Sequence, residues 1–229
     1  MQEQQQDKSG SAGDWVRDRT VEAARYALLR RLAYAMRHHM VVHLQPIGMI
    51  TEVMERRLRQ PSPDLAQVHD SMSRINGFSR AAVQSCLDVV SWMAPEDGAL
   101  IALDAGVAEC VGMLRSNFNF RGFTLKDEIG GAAVEVSRAG LRNVLPASML
   151  ALTDGAASPA DVVISARLEA GQAVLTIALR PTGGAAGFDG DKPYRRLDWH
   201  EVQALAQADG LGLERDGQQV RVRVPSAAA

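Results

Sequence analysis

The stretch RHHMVVHLQPI, residues 37–47, opens a run in which Met40, Leu44, Ile47, Thr51, Met54 and Leu58 recur at alternating spacings of four and three. Such spacing is the apolar seam of a helix packed against other helices. At about 100° per residue the six positions stay within roughly 40° of Met40, while His38 lies about 160° away. The seam therefore predicts a bundle helix from which His38 points at solvent. An accessible imidazole, largely neutral near pH 7, is a competent nucleophile toward phosphoryl groups. His43, about 60° off the seam centre, reads as a residue of the bundle boundary.

The helical pattern runs from near Trp15 to about Arg59, with Tyr26, Leu29, Ala33 and Met36 extending the seam backwards. Gln60-Pro61-Ser62-Pro63 breaks it. Asp64 suits the N-cap of a second helix whose seam reads Leu65, Val68, Met72, Ile75, Ser79, Ala82, Cys86, Val89 and Met93. A lone hairpin with stripes this long cannot cover them, and pairing two hairpins into a symmetric four-helix bundle does. A homodimer is expected. Cys86 on the seam reads as a buried thiol, and with Cys110 forms no CxxC or Cys/His cluster, so a disulfide is not expected.

The chain of 229 residues has room for one medium domain or two small ones. Its formal net charge of −2 lacks the basic footprint of a nucleic-acid binder. Residues 1–14, MQEQQQDKSGSAGD, are polar and carry no apolar core, so they read as a disordered tail, neither signal peptide nor anchor. The apolar runs are too short to span a bilayer, and a soluble, cytoplasmic protein without membrane contact is expected.

After Pro95-Glu96-Asp97-Gly98 the pattern turns to α/β. Residues 105–120 read as a helix, 124–129 as a strand, and 138–153 as a helix beginning after Ser137. Residues 161–169 and 173–179 alternate as a hairpin joined by Ala170-Gly171-Gln172. Residues 197–209 read as a helix and 219–224 as a closing strand with alternating Val and Arg. The expected division is a tail (1–14), a helical-hairpin dimerisation and phosphotransfer domain (15–95) and an α/β domain (96–229).

Counting from His38, the second, sixth and ninth positions hold Met40, Leu44 and Ile47, a pattern that resembles the phosphoacceptor box of two-component histidine kinases. His39 stands where the family has an acid, and the family's proline sits three places before Pro46. The order helix, strand, helix, hairpin, Gly-rich loop, helix, strand likewise resembles the ATP-binding domain of those kinases, through LRSNFNFRGFTLKDEI, LRNVLPASML and DGLGLERDGQQVRVRVP. The resemblance covers roughly residues 25–226. It implies an α+β protein: an N-terminal helical hairpin forming a dimeric four-helix bundle, followed by a degenerate histidine-kinase-type ATPase α/β sandwich.

The degeneracy is read from two positions. The family's Mg²⁺-holding Asn corresponds to Ala151, which offers a hard cation no oxygen. Its adenine-binding Asp corresponds to Pro181, ahead of Gly183, Gly184 and Gly187, which read as a flexible stretch or as remnants of a phosphate loop. Asn143 and Asp154 are the other oxygen donors nearby. No cofactor is expected, Mg²⁺ coming only from a partner receiver domain. The resemblance is closest in kind to dimeric histidine phosphotransferases, which pass phosphoryl groups between response-regulator receiver domains and lack ATP-dependent kinase activity. His38 would be the phosphoacceptor. Val41, Val42, Gln45 and Met49, with Asn76, Gly77 and Arg80 of the second helix, would dock the partner, a receiver domain or one carried by a hybrid histidine kinase. The absent acid at His39 equally suits a non-catalytic pseudokinase scaffold that binds or regulates a partner kinase or response regulator. His39 and His43, spaced four apart, would be a metal pair only with a third ligand, and none is in view.

Overall fold

The structure, a computed structural model, describes residues 3–94, 98–131, 134–188 and 194–227, with side chains from Trp15 onward. Residues 1–2 and residues 95–97 of the expected boundary lie outside the described residues, and residues 3–14, expected as a disordered tail, are helical. The chain forms two compact units, Met1–Leu32 with Glu96–Ala229, and Ala33–Pro95. One division thus falls inside the first helix, at Leu32/Ala33, in addition to the expected one near residue 95.

The unit Ala33–Pro95 is a helical hairpin. Helix α1 (Glu3–Leu58) supplies its C-terminal half and α2 (Leu65–Met93) the return. Beyond Leu58 the helical bonds give way to one from Gln60 N–H to the Arg57 carbonyl, and two prolines prevent continuation. Asp64 caps α2 as expected, its carboxylate accepting from the amides of Ala66 at 2.9 Å and Gln67 at 3.3 Å. The faces turned into the hairpin are Met40, His43, Ile47, Ile50, Met54 and Arg57 on α1, and Ser71, Ile75, Phe78, Ala82, Ser85, Val89 and Trp92 on α2.

Those faces correct the seams expected from sequence. Leu44 and Leu58 are exposed, and His43 sits at the centre of the inward arc instead of its edge. Cys86 is exposed rather than buried, because Ala82, Ser85 and Val89 take the inward positions around it. Leu65, Met72, Val83, Leu87, Val90 and Met93 are left 57–72% exposed. Measured from Val89, this second stripe is centred about 100° round α2 from the hairpin seam, the angle at which a bundle helix meets a second neighbour. The apolar arc of each helix is wide enough for two seams, and the expected seam lies between them.

The other unit is a two-layer α/β sandwich. Strands β2 (Phe123–Asp127), β4 (Ala160–Glu169), β5 (Gln172–Pro181), β7 (Gln219–Pro225) and β6 (Gly212–Asp216) form a sheet in the order β2-β4-β5-β7-β6. The β2/β4 pair is parallel and the others antiparallel. Helices α3 (Leu103–Phe120), α4 (Arg138–Thr153) and α5 (Trp199–Ala208) pack with it. A separate ribbon pairs β1 (Leu100–Ala102) with β3 (Glu135–Ser137). The helices α3, α4 and α5, the β4–β5 hairpin and β7 fall where sequence places them; β1, β3 and β6 were not expected. Along β7, Val220, Val222 and Val224 are buried while Arg221 and Arg223 take the other face, the period-2 pattern of a half-covered strand. Ser137 caps α4 by accepting from the Gly140 amide at 3.2 Å.

Residues 15–32 of α1 belong to this sandwich. Val21, Ala24, Ala27, Leu28, Arg31 and Leu32 are buried, whereas Tyr26 and Ala33, expected on the seam, are exposed. The buried face has rotated because a different neighbour covers it. Two carboxylates fasten the helix there. Asp154, the C-cap of α4, accepts Arg31 through both guanidinium nitrogens at 2.7 and 2.8 Å and Arg121 at 3.0 Å. Asp209, the C-cap of α5, accepts Asn143 at 2.9 Å and Arg25 at 3.2 Å. Cations at a helix C-terminus also complement its dipole, so the arginines satisfy the carboxylates and the helix ends together.

Candidate functional site

His38 stands exposed on α1. Taking His43 as the centre of the inward arc, His38 lies about 140° away, so the change of seam leaves its outward direction intact. One turn to either side its neighbours on the helix are Tyr34, Ala35, Val41 and Val42, which supply no carboxylate. His39 and His43 are half-buried, about 100° and 140° round the helix from His38.

The seven residues expected to meet a partner are all exposed. On α1, Val42 and Met49 lie about 100° and 120° from the inward centre, and Val41 and Gln45 about 160°. Val53 joins them as an exposed apolar side chain that the sequence reading left out; its spacing of four from Met49 was the available signal. On α2, Asn76, Gly77 and Arg80 lie between about 120° and 180° from the inward direction of Val89. A side chain at Gly77 would meet nothing within 4 Å, so the glycine gives the helix a bare spot and fills no tight contact.

The two positions read as lost nucleotide contacts lie in the sandwich unit. Ala151 is half-buried on α4, and Pro181 is exposed at the end of β5. The alternative oxygen donors are engaged by protein groups: Asn143 Nδ2 donates to Asp209, and Asp154 is held between Arg31 and Arg121. A metal ion at Asp154 would have to displace guanidinium groups from a carboxylate that is 3% exposed. Gly187 has a packing reason to be glycine. A Cβ there would lie 2.1 Å from Arg121 C, where the loop after β5 crosses the α3–β2 turn, and the Phe188 amide donates to the Phe120 carbonyl at 3.1 Å. Tight backbone packing at Gly187 corrects its reading as a flexible or phosphate-loop glycine.

Among the described residues there is no group of three or more His, Cys, Asp or Glu arranged to hold a metal, and no helix long and apolar enough to cross a membrane. Cys110 is buried in the sandwich and burial pushes its thiol well above the ordinary range, Glu109 adding to the effect and Arg142 opposing it. That is an inert core thiol.

No family model matches the chain, and no curated protein matches it. Among solved structures it is similar to the Acinetobacter baumannii histidine kinase AdeS, at 14% identity over 83% of this chain and 98% of that one with a TM-score of 0.42. It is similar also to a histidine kinase from Burkholderia phymatum, at 18% identity over 87% and 99% with a TM-score of 0.44. A bacterial phosphotransferase aligns at 17% identity over 86% and 95%, with a TM-score of 0.34.

Proposed function

We propose that this protein is a dimeric, cytoplasmic histidine phosphotransferase of a bacterial two-component phosphorelay, in which His38 takes a phosphoryl group from the aspartyl phosphate of one receiver domain and yields it to another. The observation that carries the reading is an exposed histidine on a rigid bundle helix, flanked by exposed apolar residues Val41, Val42 and Met49 that a solvated face does not need. In the transfer, a ring-nitrogen lone pair of His38 attacks phosphorus. The P–N bond forms as the acyl-phosphate P–O bond breaks, and the aspartate leaves as a carboxylate. The second transfer is the reverse onto a new aspartate. The receiver brings Mg²⁺ and its own acidic pocket, so this chain has to supply position and access.

The missing carboxylate beside His38 suits passive transfer better than ATP-dependent phosphorylation, and Ala151 and Pro181 support a chain with no nucleotide cofactor. The exposed stripe Met72, Val83, Val90 and Met93 supports a homodimer, since a second hairpin would cover it in a four-helix bundle. His39 in place of the family's acid favours a second reading, a pseudokinase scaffold that binds a partner kinase or response regulator without transfer. Incubation with phosphorylated receiver domains separates the two. Transfer gives wild type an acid-labile, base-stable label that His38→Ala lacks, whereas tight receiver binding with no label in any pairing supports the scaffold.

A further inference from the structure

The expected docking residues on α1 all lie on the hairpin-turn side of His38, with Met49 about 17 Å away along the axis. A partner that takes His38 into its own pocket needs roughly 800 Å² on this chain, a disc about 16 Å in radius, so a footprint centred there also covers the preceding turn. On that turn, about 6 Å from His38 and about 40° round the helix, stands Tyr34. It is 54% exposed, and the Arg37 guanidinium carbon lies 5.4 Å from its ring centroid. Tyr34 points about 180° away from the hairpin seam, so α2 does not cover it. Among the ion pairs of the described residues, Arg37 has none.

We infer that the Tyr34–Arg37 pair is a second docking element, on the N-terminal side of His38, for the acidic rim of the receiver domain that exchanges the phosphoryl group. The inference rests on the reading of His38 as phosphoacceptor. A receiver pocket that holds Mg²⁺ is built of carboxylates, and a guanidinium fork is the side chain that matches a carboxylate with two parallel hydrogen bonds. Stacking on the ring pre-orders the fork, so less rotamer freedom is lost on docking. Tyr and Arg are also the residue types that most often carry binding energy at interface centres.

The test uses the full chain as wild type, Tyr34→Ala, Tyr34→Phe and Arg37→Glu, with a panel of isolated receiver domains phosphorylated by acetyl phosphate. Tyr34→Ala and Arg37→Glu should raise the half-saturating receiver concentration by about tenfold or more and leave the saturating rate within about twofold, with Tyr34→Phe close to wild type. Labelling of His38 by phosphoramidate, a donor too small to dock, should be unchanged in every variant. Unaltered half-saturation, or a loss of phosphoramidate labelling that parallels the receiver loss, overturns the inference. If wild type accepts no phosphoryl group from any receiver, the transfer reading itself fails, and equilibrium titration with the same receivers decides the pair. Binding about tenfold weaker in Tyr34→Ala and Arg37→Glu then supports it; equal binding, or none in wild type, overturns it.

Discussion

Replacing Asp154 by Ala removes the carboxylate that joins α1 to the sandwich. The Arg31 side chain is 3% exposed and that of Arg121 is 12% exposed, so two guanidinium groups would face each other away from bulk water without their shared anion. Removing one partner of a buried ion pair costs about 3–5 kcal/mol, a third or more of a typical domain stability of roughly 10 kcal/mol. With a urea slope near 2 kcal/mol per molar, the unfolding midpoint of the sandwich should fall by about 1.5–2.5 M. Arg31→Met should cost less, about 1–3 kcal/mol, because Arg121 still satisfies the carboxylate. The double variant Arg31→Met/Asp154→Ala should lose less than the two single losses added, since only Arg121 and no longer Arg31 is left without its anion. Hydrogen exchange should report residues 16–32 opening first in Asp154→Ala. A midpoint within about 0.5 M of wild type, with α1 protection unchanged, would refute the claim that this carboxylate holds the helix.

Three further outcomes are expected. Val90→Asp, on the exposed stripe of α2, should convert a dimer to monomer in light scattering while helix content is kept; a wild-type chain that is monomeric at micromolar concentration contradicts the bundle. Calorimetric titration with ATP and Mg²⁺ should give no saturable heat near 1 mM, about −4 kcal/mol, and micromolar binding would revive a kinase reading. The Glu201 carboxyl is held below the ordinary carboxylate range, chiefly by its bond from Arg195, with burial opposing and the Asp198 amide adding. Because its folded value is depressed, its contribution is present above the unfolded value near 4.3 and is lost as pH falls through the folded one. Glu201→Gln should therefore lower stability at pH 7 and converge with wild type in acid; a gap that widens on acidification would contradict this.

How much of this was legible in sequence depends on the range of the interaction concerned. The start of α4 follows from the local cap at Ser137, and β7 from its Val/Arg alternation, both carried by adjacent residues. Three-residue β1 and β3 are too short to show a period. The burial of Arg31 depends on Asp154, 123 residues away, so no window of sequence holds both. His38 was readable because its direction depends only on the helix, and the i, i+3 spacing of Tyr34 and Arg37 is equally local, only its exposure needing the fold.

Phosphoryl transfer through His38 is tested most directly by tandem mass spectrometry at alkaline pH after brief exposure to phosphorylated receiver domains. A phosphoryl group mapped to His38, with His39, His43, His69 and His200 unmodified, is the result expected. A group mapped to any of those four, or unmodified His38 beside receivers that have bound and kept their phosphate, would contradict the account.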